Sequence, residues 1–142
     1  MSLTIQAHFI YIMKTINVAT NKRVDFIDIT SQVNNAIIES SVSNGIATVY
    51  VPHTTCGIMI NEGADPDVVR DIQYQLENII PYQKGYQHME GNADSHIKTC
   101  LVGSSETVII DSGKLVLGTW QSIFLCDFDG PRNRKVYIKI IS

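Results

Sequence analysis

The chain has 142 residues, a length that makes one domain spanning 1–142. Hydrophobic residues make up 44% and charged residues 18%, which excludes a disordered chain. Lys plus Arg is 11 and Asp plus Glu is 14, so the net charge is −3 and the basic excess of a nucleic-acid-binding domain is missing.

The charge is unevenly spread. Residues 61–130 hold eleven acids and four bases, whereas the last twelve residues hold Arg132, Arg134, Lys135, Lys139 and no acid. An acidic middle suits a cation and a basic end suits an anion. The three cysteines, Cys56, Cys100 and Cys126, are odd in number and form no CxxC. They read as small, mostly buried thiols in a reducing compartment, with Cys56 beside His53 as the one candidate nucleophile. No basic segment precedes the apolar run from Ala7 to Met13, and no stretch approaches ~18 apolar residues. A cytoplasmic location and no membrane contact are expected.

Residues 3–13 alternate, with Leu3, Ile5, Ala7, Phe9, Tyr11 and Met13 on one face and His8 on the other, exposed one. This period predicts a half-buried strand. Val24 to Ile29 reads as a short strand. Thr30 or Ser31 then caps a helix through Ser41, ended by a left-handed residue at Asn44-Gly45. Ile46 to Pro52 and Gly57 to Glu62 are strands, joined by a hairpin loop or a bend at His53-Thr54-Thr55-Cys56. Asp65-Pro66-Asp67 starts a helix whose apolar stripe is Val68, Val69, Ile72, Leu76, Ile79 and Ile80, closed by Pro81. Tyr82 to Gly91 is a loop. Asn92 or Asp94 caps a short helix reaching about Val102. Strands follow at Glu106–Ile110, Lys114–Leu117, Trp120–Phe128 and Arg134–Ile140, with turns at Ser112-Gly113 and Asp129-Gly130-Pro131. The class is α+β, a largely antiparallel or mixed sheet covered by about three helices.

The chemistry-bearing residues sit at element ends. His53 ends a strand, His88 lies in the loop before the short helix, and His96 lies in that helix's first turns. Three imidazoles in an acid-rich region make a candidate set for a divalent ion, zinc or magnesium, or for proton transfer. Asn61 and Glu62 end a strand of apolar residues. Arg132 offers a fork for phosphate or carboxylate, and Lys98 a second anion contact. No Walker loop, HExxH, GxSxG or Rossmann glycine set is present.

Several strings together resemble the YjbQ-like family: His53-Thr54-Thr55-Cys56-Gly57, Asn61-Glu62 with Asp65-Pro66-Asp67, Gly91 to Lys98, Leu117 to Gln121, and Phe128 to Arg132. The resemblance implies a small α+β protein that forms homotrimers. It also implies a secondary thiamine-phosphate synthase activity, which couples hydroxymethylpyrimidine diphosphate with thiazole phosphate. The family's polar motif residues map onto His53, Thr54, Asn61, Glu62, His88, Asn92, His96, Gln121, Asp129 and Arg132. Cys56 stands where relatives commonly carry a small residue, which weighs against a catalytic thiol.

Two functions are weighed. The first is an enzyme acting on phosphorylated small molecules. His53, Glu62, His88 and His96 would be catalytic, and His53, His88 and His96 would also hold the metal. Thr54, Asn61, Asn92, Lys98, Gln121, Asp129 and Arg132 would bind substrate. The alternative is a non-catalytic trimer that holds a metal or small anion.

Overall fold

The computed structural model describes residues 11–142. The start of the expected first strand, with His8, lies outside the described residues. The elements are β1 (Tyr11–Ala19), β2 (Asp25–Asp28), α1 (Thr30–Ser40), β3 (Gly45–Tyr50), β4 (Cys56–Glu62), α2 (Pro66–Ile79), α3 (Ala93–Val102), β5 (Ser105–Asp111), β6 (Lys114–Leu115), β7 (Gln121–Asp127) and β8 (Asn133–Ile141). This is the expected α+β class, with antiparallel pairing and three helices among the described residues. No helix among these residues is long and apolar enough to cross a membrane.

The strands divide between two sheets, one of order β1-β8-β3-β5-β6 and one of order β2-β7-β4. One core lies between their facing sides. Val49, Val108, Ile138 and Ile140 come from the larger sheet, Ile58, Ile123 and Leu125 from the smaller, and α1 adds Val33 and Ile37. A second core covers the other side of the small sheet, where Phe124, Cys126 and Phe128 meet Val69 and Leu76 of α2 and Val102 of α3. β7 is therefore buried on both faces, which explains its unbroken apolar run from Ile123 to Cys126.

Local chemistry accounts for most boundaries. The Asp65 carboxylate accepts the Asp67 N–H at 2.9 Å, and Pro66 fills the first helical position of α2, as its sequence predicts. Ser112 and Gly113 both take positive φ and close the β5–β6 hairpin. Three expectations are corrected. Neither Thr30 nor Ser31 caps α1: Asp28, two residues before the helix, accepts the N–H and hydroxyl of Thr30. The left-handed residue that ends α1 is Ser41, with φ of 59°, not Asn44 or Gly45. In β1 the inward residues are Ile12, Ile16 and Val18, while Tyr11 and Met13 are 64% and 61% exposed.

The bend at His53–Cys56 joins two strands of different sheets, not a hairpin, and the same holds for Asp129-Gly130-Pro131. With residues 20–24 these are three short crossings between sheets, and they run side by side. Thr20 N–H donates to Arg132 O at 2.9 Å, Phe128 N–H to Thr55 O at 3.1 Å, and Gly130 N–H to Arg23 O at 2.8 Å. Gly130 is required here, because a Cβ on it would stand 2.2 Å from the Lys22 carbonyl oxygen.

Candidate functional site

The crossings are tied by a buried polar knot. Arg134 donates to both carboxylate oxygens of Asp127, at 2.7 and 3.0 Å, and to the Thr55 hydroxyl at 2.8 Å. Thr20 donates its hydroxyl to Asp127 at 2.7 Å and accepts the Arg132 N–H at 2.9 Å. Burial pushes the Asp127 pKa up, but the bonds from Arg134, the Asp129 backbone and Thr20 outweigh it and hold the carboxyl below its ordinary range. Asp129 N–H donates to Asp127 Oδ1 at 2.9 Å, so the knot sets the turn that carries Asp129 and Arg132.

That turn meets the start of α3. Asn92 Nδ2 donates to Asp129 Oδ2 at 2.8 Å, and the Arg132 guanidinium reaches the same oxygen at 3.3 Å. The Asn92 side-chain oxygen is buried with no partner among the described residues. His96 lies one turn into α3, its N–H on Asn92 O at 3.4 Å. The His88 ring meets the His96 ring edge to face, with centroids 5.2 Å apart, and His88 Nε2 is 3.8 Å from Glu90. Beside His88 a cavity of about 150 Å³ is lined by Tyr82, Lys84, Tyr86 and Ala93. Thus five of the predicted residues fall in two contacts near the start of α3, His88 with His96 and Asn92 with Asp129 and Arg132, linked through the backbone bond from His96 to Asn92.

Lys98 is 1% exposed, and its ammonium is held by Glu77 at 2.6 Å and Asp94 at 3.0 Å. The positive charge expected to meet an anion is already neutralised inside the fold. Asp94 also takes two bonds from Arg23, at 2.8 and 3.2 Å. Burial would raise the Asp94 pKa, yet these bonds hold it below the ordinary carboxylate range. Burial opposes the charge on Arg23 too, and Asp94 more than restores it, so its pKa is raised. Arg23 and Glu77 escaped the sequence reading, and Asp94, expected as a possible cap of α3, instead pairs with Arg23 and Lys98, while α3 has no side-chain cap. The four-residue step from Asp94 to Lys98 on one helix face was the available signal for part of this set.

The remaining predicted residues lie apart. His53 Nε2 accepts the Lys135 N–H at 3.0 Å, so the neutral ring carries its proton on Nδ1. Burial, then the charge of Arg134, lowers its pKa. Thr54 is exposed in the same bend. Glu62 pairs with Gln121 and Asn61 with Ser122, at the end of the β4–β7 pair opposite Cys56 and Asp127. Seven residues of β4 separate these ends by about 20 Å. Asn61 accepts the Glu62 N–H, and Gln121 accepts the Gly118 N–H. Among the described residues no three His, Cys, Asp or Glu side chains stand together as a metal requires, so His53, His88 and His96 form no three-histidine site within one chain. Of the thiols expected to be mostly buried, Cys56 and Cys126 are buried and Cys100 is exposed. Burial, reinforced by Asp127, raises the Cys56 pKa and suppresses its thiolate.

The sequence pattern of the family described as "UPF0047 protein YjbQ-like" matches residues 14–142. A UPF0047 protein of Methanocaldococcus jannaschii is 56% identical over 124 residues, covering 87% of this chain and 90% of its own length. YugU of Bacillus subtilis is 46% identical over 130 residues, covering 91% and 98%. Among solved structures, an uncharacterized conserved protein of Clostridium acetobutylicum superposes with a TM-score of 0.88 at 53% identity, covering 89% of this chain and 98% of that one. A protein of unknown function from Sulfolobus solfataricus gives 0.92 at 31% identity, covering 95% and 99%. With its pattern, relatives and fold in agreement, the chain belongs to the UPF0047 family of YjbQ-like proteins.

Proposed function

We propose that this protein is an enzyme acting on phosphorylated small molecules, of secondary thiamine-phosphate synthase type. In that coupling the ring nitrogen of thiazole phosphate attacks the methylene carbon of hydroxymethylpyrimidine diphosphate. The new C–N bond forms, the C–O bond breaks, and diphosphate leaves with the bonding pair. The observation that carries this reading is the convergence of the paired imidazoles of His88 and His96 with the Asn92–Asp129–Arg132 set at the start of α3. A departing diphosphate needs charge compensation and a proton within one site.

Each residue has a task suited to its position. Arg132, more than half exposed and anchored on Asp129, offers its guanidinium to the phosphate oxygens. His88 and His96 hold the proton given to the leaving group. Asn92 donates its side-chain amide to Asp129 and so holds the carboxylate that anchors Arg132. A divalent ion, zinc or magnesium, arriving with the diphosphate would neutralise its charge through the phosphate oxygens, which leaves His88 and His96 to hold the proton. The cavity of about 150 Å³ beside His88 has room for a small ring next to the reacting end.

The reading includes a homotrimer. His53 and Thr54, and above all Asn61, Glu62 and Gln121, lie away from this set within one chain. Asn61, Glu62 and Gln121 join it only where the Glu62–Gln121 end of the β4–β7 pair of one copy meets the α3 start of another, while His53 and Thr54 sit at the opposite end of that pair. Support comes from α2, where no residue of Pro66–Ile79 is fully buried within the single chain.

The test is turnover by the purified chain with both phosphorylated substrates and added Mg²⁺ or Zn²⁺. Thiamine phosphate should form, and His96→Ala or Arg132→Ala should lower the rate by roughly 10²-fold or more. Stoichiometric binding of the diphosphate substrate without product would overturn the enzyme and leave a trimeric anion- or metal-binding protein.

A further inference from the structure

Five side chains and one backbone group form a closed circuit around the loop that carries His88. The Arg23 guanidinium stacks on the Tyr82 ring, 3.9 Å from its centroid. Tyr82 N–H donates to Glu77 Oε1 at 3.0 Å. The other Glu77 oxygen takes the Lys98 ammonium, Lys98 reaches Asp94, and Asp94 returns to Arg23. The circuit links the β1–β2 crossing, the last turn of α2, the first residue past Pro81, and α3.

We propose that this circuit positions His88 against His96, making Arg23, Glu77, Asp94 and Lys98 positioning residues of the site. The segment between α2 and α3 spans residues 80–92 and has no regular structure of its own. Its exposed end carries His88, and the contact with His96 depends on where that end lies. Tyr86 fastens the middle, its hydroxyl on Pro81 O at 2.7 Å. The circuit fastens the start by a hydrogen bond and a cation–π contact, both on Tyr82. It also anchors the helix that carries His96, since Asp94 and Lys98 tie the buried face of α3 to Arg23 and Glu77. A lysine and an aspartate buried almost completely are costly to keep charged, and mutual pairing makes them tolerable. Such a network holds geometry more firmly than exposed pairs do.

This inference rests on the reading that His88 and His96 act together, but its test needs no substrate. Imidazole cross-peaks between His88 and His96 and amide exchange at Tyr82 are measured by NMR in the wild type, Glu77→Ala, Glu77→Gln and Arg23→Ala. In Glu77→Ala the His88–His96 cross-peak should vanish and Tyr82 exchange should rise roughly tenfold, while the amides of β3 and β8 keep their protection. Glu77→Gln keeps an acceptor for Tyr82 N–H and should restore part of that protection. Arg23→Ala should weaken the cross-peak in the same way. An unchanged cross-peak in folded Glu77→Ala and Arg23→Ala overturns the proposal. So does loss of protection across β3 and β8 in every variant, which would make the circuit a general fold element. If the turnover test fails while these signals behave as stated, the circuit stands and the enzyme reading falls alone.

Discussion

At the scale of residues, buried pairs decide what survives substitution. Asp127 is fully buried and satisfied by Arg134, Thr20 and the Asp129 backbone. Asp127→Asn leaves the Arg134 charge uncompensated and should cost about 3–5 kcal/mol in urea unfolding. The pH dependence follows from the same carboxyl. Its folded pKa is depressed, so its stabilising contribution is complete above the unfolded value of about 3.9 and is lost as pH falls through the lower folded value. Asp94, held down by Arg23 and Lys98, acts in the same direction. The carboxylate contributions should therefore be constant from pH 7 to about pH 5 and fall below about pH 4, with a shallower acid fall in Asp127→Asn, and the lowered pKa of His53 adds a separate loss as pH drops through its ordinary value of 6.5. An acid slope identical in the two proteins would remove Asp127 from the explanation. The thiols provide a second check: in the native protein Cys100 should react with a disulfide reagent at once, and Cys56 and Cys126 only on unfolding. Residue types were legible in the sequence, but pairings were not. Lys98 read as a free cation because its partner Glu77 lies 21 positions away, on another helix.

At the scale of elements, local signals were read well and phase was not. Asp65-Pro66-Asp67 located α2 because a cap and a proline act on the backbone beside them. Asp65→Ala should cost about 1 kcal/mol, measurable as a shift in the urea midpoint with an unchanged slope. The alternation in β1 gave its period, but a strand's inward face depends on the sheet it packs against. Pairing of β1 with β8 turns Ile12, Ile16 and Val18 inward and leaves Tyr11 and Met13 outside. The α1 start was missed by a smaller margin: Asp28 reaches forward from the end of β2 to do what Thr30 was expected to do. For α3 the helix was legible, and its side-chain bonds to Arg23, Glu77 and Asp129 depended on segments distant in sequence.

At the scale of the whole molecule, one topological fact organises the site. Two sheets share a core, and the chain crosses between them three times at one place. The His53–Cys56 bend and the Asp129-Gly130-Pro131 turn are crossings between sheets, which is why Asp129 and Arg132 face the start of α3. No run of local sequence announces such a crossing, so the gathering of His88, Asn92, His96, Asp129 and Arg132 came only with the fold. Sedimentation at micromolar concentration should give a trimer, and a monomer would remove any site completed between copies. The central claim is that this gathering binds phosphorylated ligands, and amide NMR shifts on titration with pyrophosphate test it most directly. Shifts concentrated at residues 88–96 and 129–132, and abolished by Arg132→Ala, are the predicted result. Shifts confined to the far end of the β4–β7 pair, or none at saturating pyrophosphate, would contradict it.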